Sequence, residues 1–154
     1  MTDPTPEQRP HPGRWGSAPP DTGWRRIAAL AALALFSAGC WAAWLGWDQE
    51  YYEVDGVTQG PYRPEQVIGC GACIVVASIV VFLYLRRPST IPVVAAVAVV
   101  GFAIPWATQA STDSTGLWAV GLMFLLIGGG LGLVSVLAVV HLLRILLHSV
   151  RNNR

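Results

Sequence analysis

Four stretches of the chain contain no Asp, Glu, Lys or Arg: Ile27–Trp47, Val67–Leu85, Ile91–Thr108 and Leu117–Leu143. Apolar positions follow one another there without the polar residue at every turn that the outer face of a soluble helix carries. A helix of roughly 20 apolar residues crosses a bilayer core of about 30 Å. Lipid offers no partner to backbone N–H and C=O groups, so each stretch is expected to be helical. The pattern predicts an all-α membrane protein with four transmembrane helices bundled over residues 24–147. The third stretch is the shortest, and Pro105 near its end is expected to kink or stop the helix.

The segments between the apolar runs read differently. Residues 1–23 have six prolines in the first 20 positions and little to bury, which predicts a disordered tail. Residues 148–154 form a second, short tail. In the first loop, aromatic and β-branched residues flank Asp55-Gly56, a pair that favours a type I′ turn, so a small β-hairpin outside the membrane is expected. Pro64 suits the first turn of the next helix, where its missing N–H costs nothing. Glu65 suits the positive end of the helix dipole. Asp48, Glu50, Glu53 and Asp55 do not follow the spacing of a calcium-binding loop, so they read as a solvated acidic cap.

Composition adds one point and charge another. Only 12% of residues are charged, about half the usual share for a soluble domain. All ten basic residues are Arg, and basic residues near spans stay on the cytoplasmic side. Arg9, Arg14, Arg25, Arg26, Arg86, Arg87, Arg144, Arg151 and Arg154 fall on one side of a four-span topology, and only Arg63 falls on the other. Both termini are therefore expected in the cytoplasm. Six of the nine acids lie on the opposite side. Trp44, Trp47, Trp106 and Trp118 would mark the outer interface, with Trp24 and Tyr84 at the inner one.

Tyr51–Cys70, YYEVDGVTQGPYRPEQVIGC, resembles a stretch of small, uncharacterised four-pass membrane proteins of high-GC Gram-positive bacteria. An Arg-only basic set rich in Ala, Val, Gly and Pro around it is of the same character. The resemblance implies a bacterial cytoplasmic membrane and brings no activity with it.

The candidate chemistry is Cys70-Gly-Ala-Cys73. A four-helix layout with Cys-x-x-Cys near the outer end of a span resembles the disulfide-forming quinone oxidoreductases and the vitamin K epoxide reductases. That resemblance implies a redox pair at Cys70 and Cys73 and a quinone as cofactor. Three features oppose it. A reactive thiol is commonly activated by a helix N-terminus, an effect that fades within the first turn. Cys70 stands six residues beyond Pro64, about 9 Å deeper. Those enzymes use a second cysteine pair in an outer loop, whereas here the third and last cysteine is Cys40, inside the first span. No Arg or Lys follows in the second span to hold a thiolate or a quinone. The favoured reading is packing: Gly69, Cys73 and Ala77 recur every four residues, a small-xxx-small pattern that lets helices approach closely. Cys there acts as a small hydrophobe. Ser37-Ala-Gly-Cys40 resembles a lipobox, but it lacks the leading aliphatic residue and the polar tether, so the first span is expected to remain as a helix.

In the last span, Gly121, Gly128, Gly132 and Ser135 fall near one helical face and predict a packing seam against another span or another copy. No ionisable residue lies at mid-membrane in any span, which leaves a transport path little support. At the C-terminal end, His141, Arg144, His148 and Arg151 share a helical face. With Arg86 and Arg87 they are expected to anchor the inner side, or to form a pocket for anionic lipid. The function expected is that of a non-catalytic scaffold or accessory subunit, with a thiol–quinone oxidoreductase as the alternative and a small-molecule transporter third. The expected partners are the lipid bilayer and a second copy or another membrane protein, and not nucleic acid; no metal and no cofactor other than that quinone is implied.

Overall fold

A computed structural model describes residues 22–46, 52–54, 57–59, 62–112 and 116–152. Four of its helical runs are long and apolar enough to cross a membrane, and the chain is a multi-pass helical membrane protein. Residues 1–21 of the tail expected over residues 1–23 lie outside the described residues. The last two positions of that tail belong to the first helix, α1 (Thr22–Trp44). This helix starts ahead of the apolar run and takes in Arg25 and Arg26, since Arg is a good helix former and its long stem snorkels to the head groups. It closes at Trp44, where the N–H groups of Leu45 and Gly46 both donate to the Trp41 carbonyl at 2.9 Å.

After α1, β1 (Tyr52–Val54) pairs antiparallel with β2 (Val57–Gln59), Tyr52 opposite Gln59 and Val54 opposite Val57. Asp55-Gly56, where the type I′ turn was expected, lies outside the described residues, as do Trp47 and the acids Asp48 and Glu50. Two strands of three residues are too few for an independently stable hairpin. The extracytoplasmic β-hairpin is not supported as a structural unit.

Pro64 opens α2 (Pro64–Leu85). The Gln66 side-chain carbonyl accepts the Arg63 backbone N–H at 2.9 Å, which satisfies the donor just before the helix. At the other end Arg86 adopts a left-handed conformation with φ 55°, and its N–H donates to the Phe82 carbonyl at 3.0 Å. Arg87 is extended, the conformation favoured before a proline. A 3-10 turn (Pro88–Thr90) then leads into α3 (Ile91–Ala110). Pro105 neither stops α3 nor ends it early: the helix runs on to Ala110, and Thr108 Oγ1 donates to the Pro105 carbonyl at 2.7 Å. Proline has no N–H to give, so the Gly101 carbonyl loses its usual helical donor.

The last membrane helix has three parts. They are α4 (Trp118–Phe124), a π turn (Leu125–Gly129) and α5 (Gly130–Asn152). Helix thus continues well beyond Leu143 and includes residues 148–152 of the expected C-terminal tail.

α3 touches every other membrane helix. α1 packs most extensively on α3 and then on α2, and α5 packs on α3 and α2, so α1 and α5 flank the α2–α3 pair. Lipid tails are as apolar as a Leu side chain, so close approach rather than transfer from water holds such helices together. α3 is built for it. Val94, Ala95, Ala98, Val99, Gly101 and Ala103 are buried. The closest approach of α3 to a neighbouring backbone is at Gly101, where an added Cβ would lie 2.7 Å from the Ala34 carbonyl oxygen and 2.9 Å from Ala34 Cα.

Two buried serines differ. Ser78 Oγ donates to the Ile74 carbonyl at 2.7 Å. Ser37 is fully inaccessible, yet its Oγ has no partner among the described residues. A buried hydroxyl without a partner costs roughly 1–3 kcal/mol. Ser37→Ala is therefore expected to raise the unfolding temperature in detergent, whereas Ser78→Ala, which discards a made hydrogen bond, is expected to leave it level or lower it. A drop in stability for Ser37→Ala would show that its hydroxyl is engaged.

Candidate functional site

The helices alternate in direction. The ends of α1 and α3 meet the starts of α2 and α4 at one end of the bundle, the loop end; the starts of α1 and α3 meet the ends of α2 and α5 at the other, the tail end. Three features distinguish these regions: the cysteines, the glycines of the last helix and the basic cluster.

Cys40, Cys70 and Cys73 are all free thiols. Cys40 and Cys70 belong to the buried core, and Cys73 packs against it half-buried. Gly69, Cys73 and Ala77 lie on the side of α2 that meets α1. A Cβ on Gly69 would stand 2.6 Å from the Trp44 indole, and Cys73 and Ala77 border a shallow groove with Phe36. Trp44, read from the sequence as an interface marker, thus also plugs the space that a glycine leaves.

Cys70 points elsewhere. It borders an apolar cleft of about 430 Å³ between α2, α3 and the last helix, with Ile74, Ala98, Phe102, Leu125 and Gly129 among its walls. A hydrocarbon chain or an apolar ring fits such a cleft. No charged side chain borders it. Among the described residues, no three His, Cys, Asp or Glu side chains come together as a metal site.

The expected seam of Gly121, Gly128, Gly132 and Ser135 is divided. Gly121 faces inward, where its Cβ position is 3.0 Å from the Trp106 indole. Gly128 and Gly132 are exposed, with no heavy atom within 4 Å of their Cβ positions. Ser135 is exposed and donates to the Leu131 carbonyl at 2.8 Å. The inward glycine at the end of the π turn is Gly129, against Val99. The reason is helical phase: the seam assumes 3.6 residues per turn throughout, and the π turn breaks that count between Gly121 and Gly132.

At the tail end, four of the six residues expected to contact anionic lipid share one cavity of about 380 Å³: Arg86, His141, Arg144 and His148. Phe82, Ile145 and Ser149 complete its walls. Arg87 and Arg151 do not border it. The Phe82 and His141 rings meet edge to face, with centroids 6.2 Å apart and planes at 83°. Phe82 is 1% exposed, the largest fully buried side chain. Sequence reading passed over Gly101, Gly129 and Phe82. Phe82 carried a usable signal, lying one turn before the Arg86-Arg87 pair on the same helix.

Compared with known proteins, the chain matches no family model, no curated protein and no solved structure.

Proposed function

We propose that this protein is a non-catalytic scaffold or accessory subunit of a bacterial cytoplasmic membrane, acting through helix–helix contacts. Its tail end faces the cytoplasm, as the nine-to-one division of arginines requires. The observation that supports the role is that Gly128 and Gly132 are exposed and have no packing partner at their Cβ positions. Glycine in the middle of a helix is destabilising by roughly 0.5–1 kcal/mol relative to alanine, and neither glycine is used for packing within the chain. Gly128 is exposed and Gly132 borders the open apolar cleft; both offer bare backbone to a helix of another chain.

The test is Gly128→Leu with Gly132→Leu. Both positions are open, so the bundle is expected to fold normally while cross-linked or co-purified complexes from native membranes fall several-fold. Complexes of unchanged size and yield would remove the scaffold reading.

The thiol–quinone reading keeps one observation in its favour, the apolar cleft that reaches Cys70. It requires that Cys70→Ala with Cys73→Ala abolish a disulfide-forming activity in the cell. The scaffold reading requires the same variant to retain both its complexes and the cell's normal complement of oxidised proteins.

A further inference from the structure

We propose that the tail-end cavity is a binding site for the phosphate head group of an anionic phospholipid, held by Arg86, His141, Arg144 and His148. This goes beyond the helix-contact role and does not depend on it.

The charges converge from two elements. Arg86 comes from the end of α2, while His141, Arg144 and His148 occupy successive turns of α5. Arginine presents a planar fork of donors that matches a phosphate. Among the described residues no acid stands at that end: α1, α3, α4 and α5 contain no Asp or Glu, and α2 contains only Glu65, in its first turn at the loop end.

Arg86 adds an independent sign. Among the described residues it is the only non-glycine with positive φ. Helices commonly end on glycine in that conformation, and another residue there is strained. A strained backbone kept beside a cavity is the pattern of a functional site, and here the strained residue is itself part of the cavity wall.

The apolar side of the cavity selects a lipid over a free phosphate. Phe82 and Ile145 stand beside the cations. Toward the membrane interior, Val139 of α5 and Val80 of α2 are exposed. A head group sits among the arginines while its acyl chains run down α5. A soluble phosphate would gain nothing from that surface.

General attraction of a basic tail end to an anionic leaflet is the rival account, worth about 1 kcal/mol per arginine wherever it stands. Two double variants separate them with equal loss of charge. In nanodiscs of phosphatidylcholine with a small fraction of phosphatidylglycerol, retained lipid is read by native mass spectrometry of the full chain. Arg86→Gln with Arg144→Gln is expected to lower phosphatidylglycerol retention about tenfold or more. Arg87→Gln with Arg151→Gln is expected to leave it near the wild-type level. Arg86→Gly guards against a folding artefact: it relieves the left-handed strain, so it should unfold at a higher temperature and still retain less phosphatidylglycerol. Equal losses from the two pairs, or none from the first, would overturn the site. Displacement of the lipid by glycerol phosphate or inorganic phosphate at millimolar levels would assign the cavity to a soluble anion and overturn the lipid assignment.

Discussion

Gly101→Ala is expected to destabilise the bundle by about 2–3 kcal/mol, within the range for overpacking a close-packed interior. The added methyl would lie 2.7 Å from the Ala34 carbonyl oxygen and 2.9 Å from Ala34 Cα. Both are backbone atoms of a helix, so no side-chain rotation relieves the clash. α1 must move off α3, and that contact is the most extensive in the bundle. Gly101→Val should be worse, with little folded protein recovered. Gly132→Ala is the control. It meets nothing within 4 Å and exchanges glycine for a better helix former, so its stability should equal or exceed the wild type. Thermal unfolding of the three variants in one detergent decides the matter. Equal behaviour of the alanine variants at 101 and 132 would refute the close α1–α3 crossing.

The second large effect is all-or-none. A cysteine placed at Thr112 should react with a membrane-impermeant reagent on intact cells, and one at Ser89 should react only after the membrane is opened. Both positions are exposed, Thr112 just past the end of α3 and Ser89 in the short turn between α2 and α3, so burial protects neither. The native thiols add little background, since Cys40 and Cys70 are buried; Cys73→Ala removes the rest. The expectation follows from Arg86 and Arg87 beside Ser89, and from the absence of Lys and Arg between Arg87 and Arg144. Flipping the protein would carry nine arginines across. Labelling in the reverse pattern would invert the topology and place the lipid site on the outer leaflet.

The sequence carried the helices because lipid makes their signal coarse. Four uncharged runs are enough, and Pro64 marked the start of α2 through its missing N–H alone. Their packing was much less legible. In an alanine- and valine-rich span, Gly101 looks like one small residue among many, and only the position of Ala34 on a distant helix makes it critical. Gly69 was legible as a small residue, but not that Trp44 would fill its place. The basic stripe of α5 was legible because helical spacing holds beyond the π turn; the exclusion of Arg87 was not, since it depends on the left-handed Arg86 turning the chain away. The divided glycine seam failed for a single reason, an assumed constant period.

That departure from the period has a consequence for the other end of the molecule. A turn closed by i→i+5 bonds holds one residue more than an α-helical turn, and one residue is about 100° of rotation. The π turn at Leu125–Gly129 therefore works as a dial between the two halves of the last helix: it sets the compass bearing of everything that follows. The bearing it gives brings His141 to Phe82 and aims Arg144 and His148 toward Arg86. A chain shorter by one glycine in this segment could thread an unbroken α-helix through the same bilayer, with the same composition and the same charges, and present its basic stripe a quarter-turn or more away from α2. The run of Gly128, Gly129 and Gly130 is thus a point where a single-codon change would re-aim the tail end without altering one of its residues.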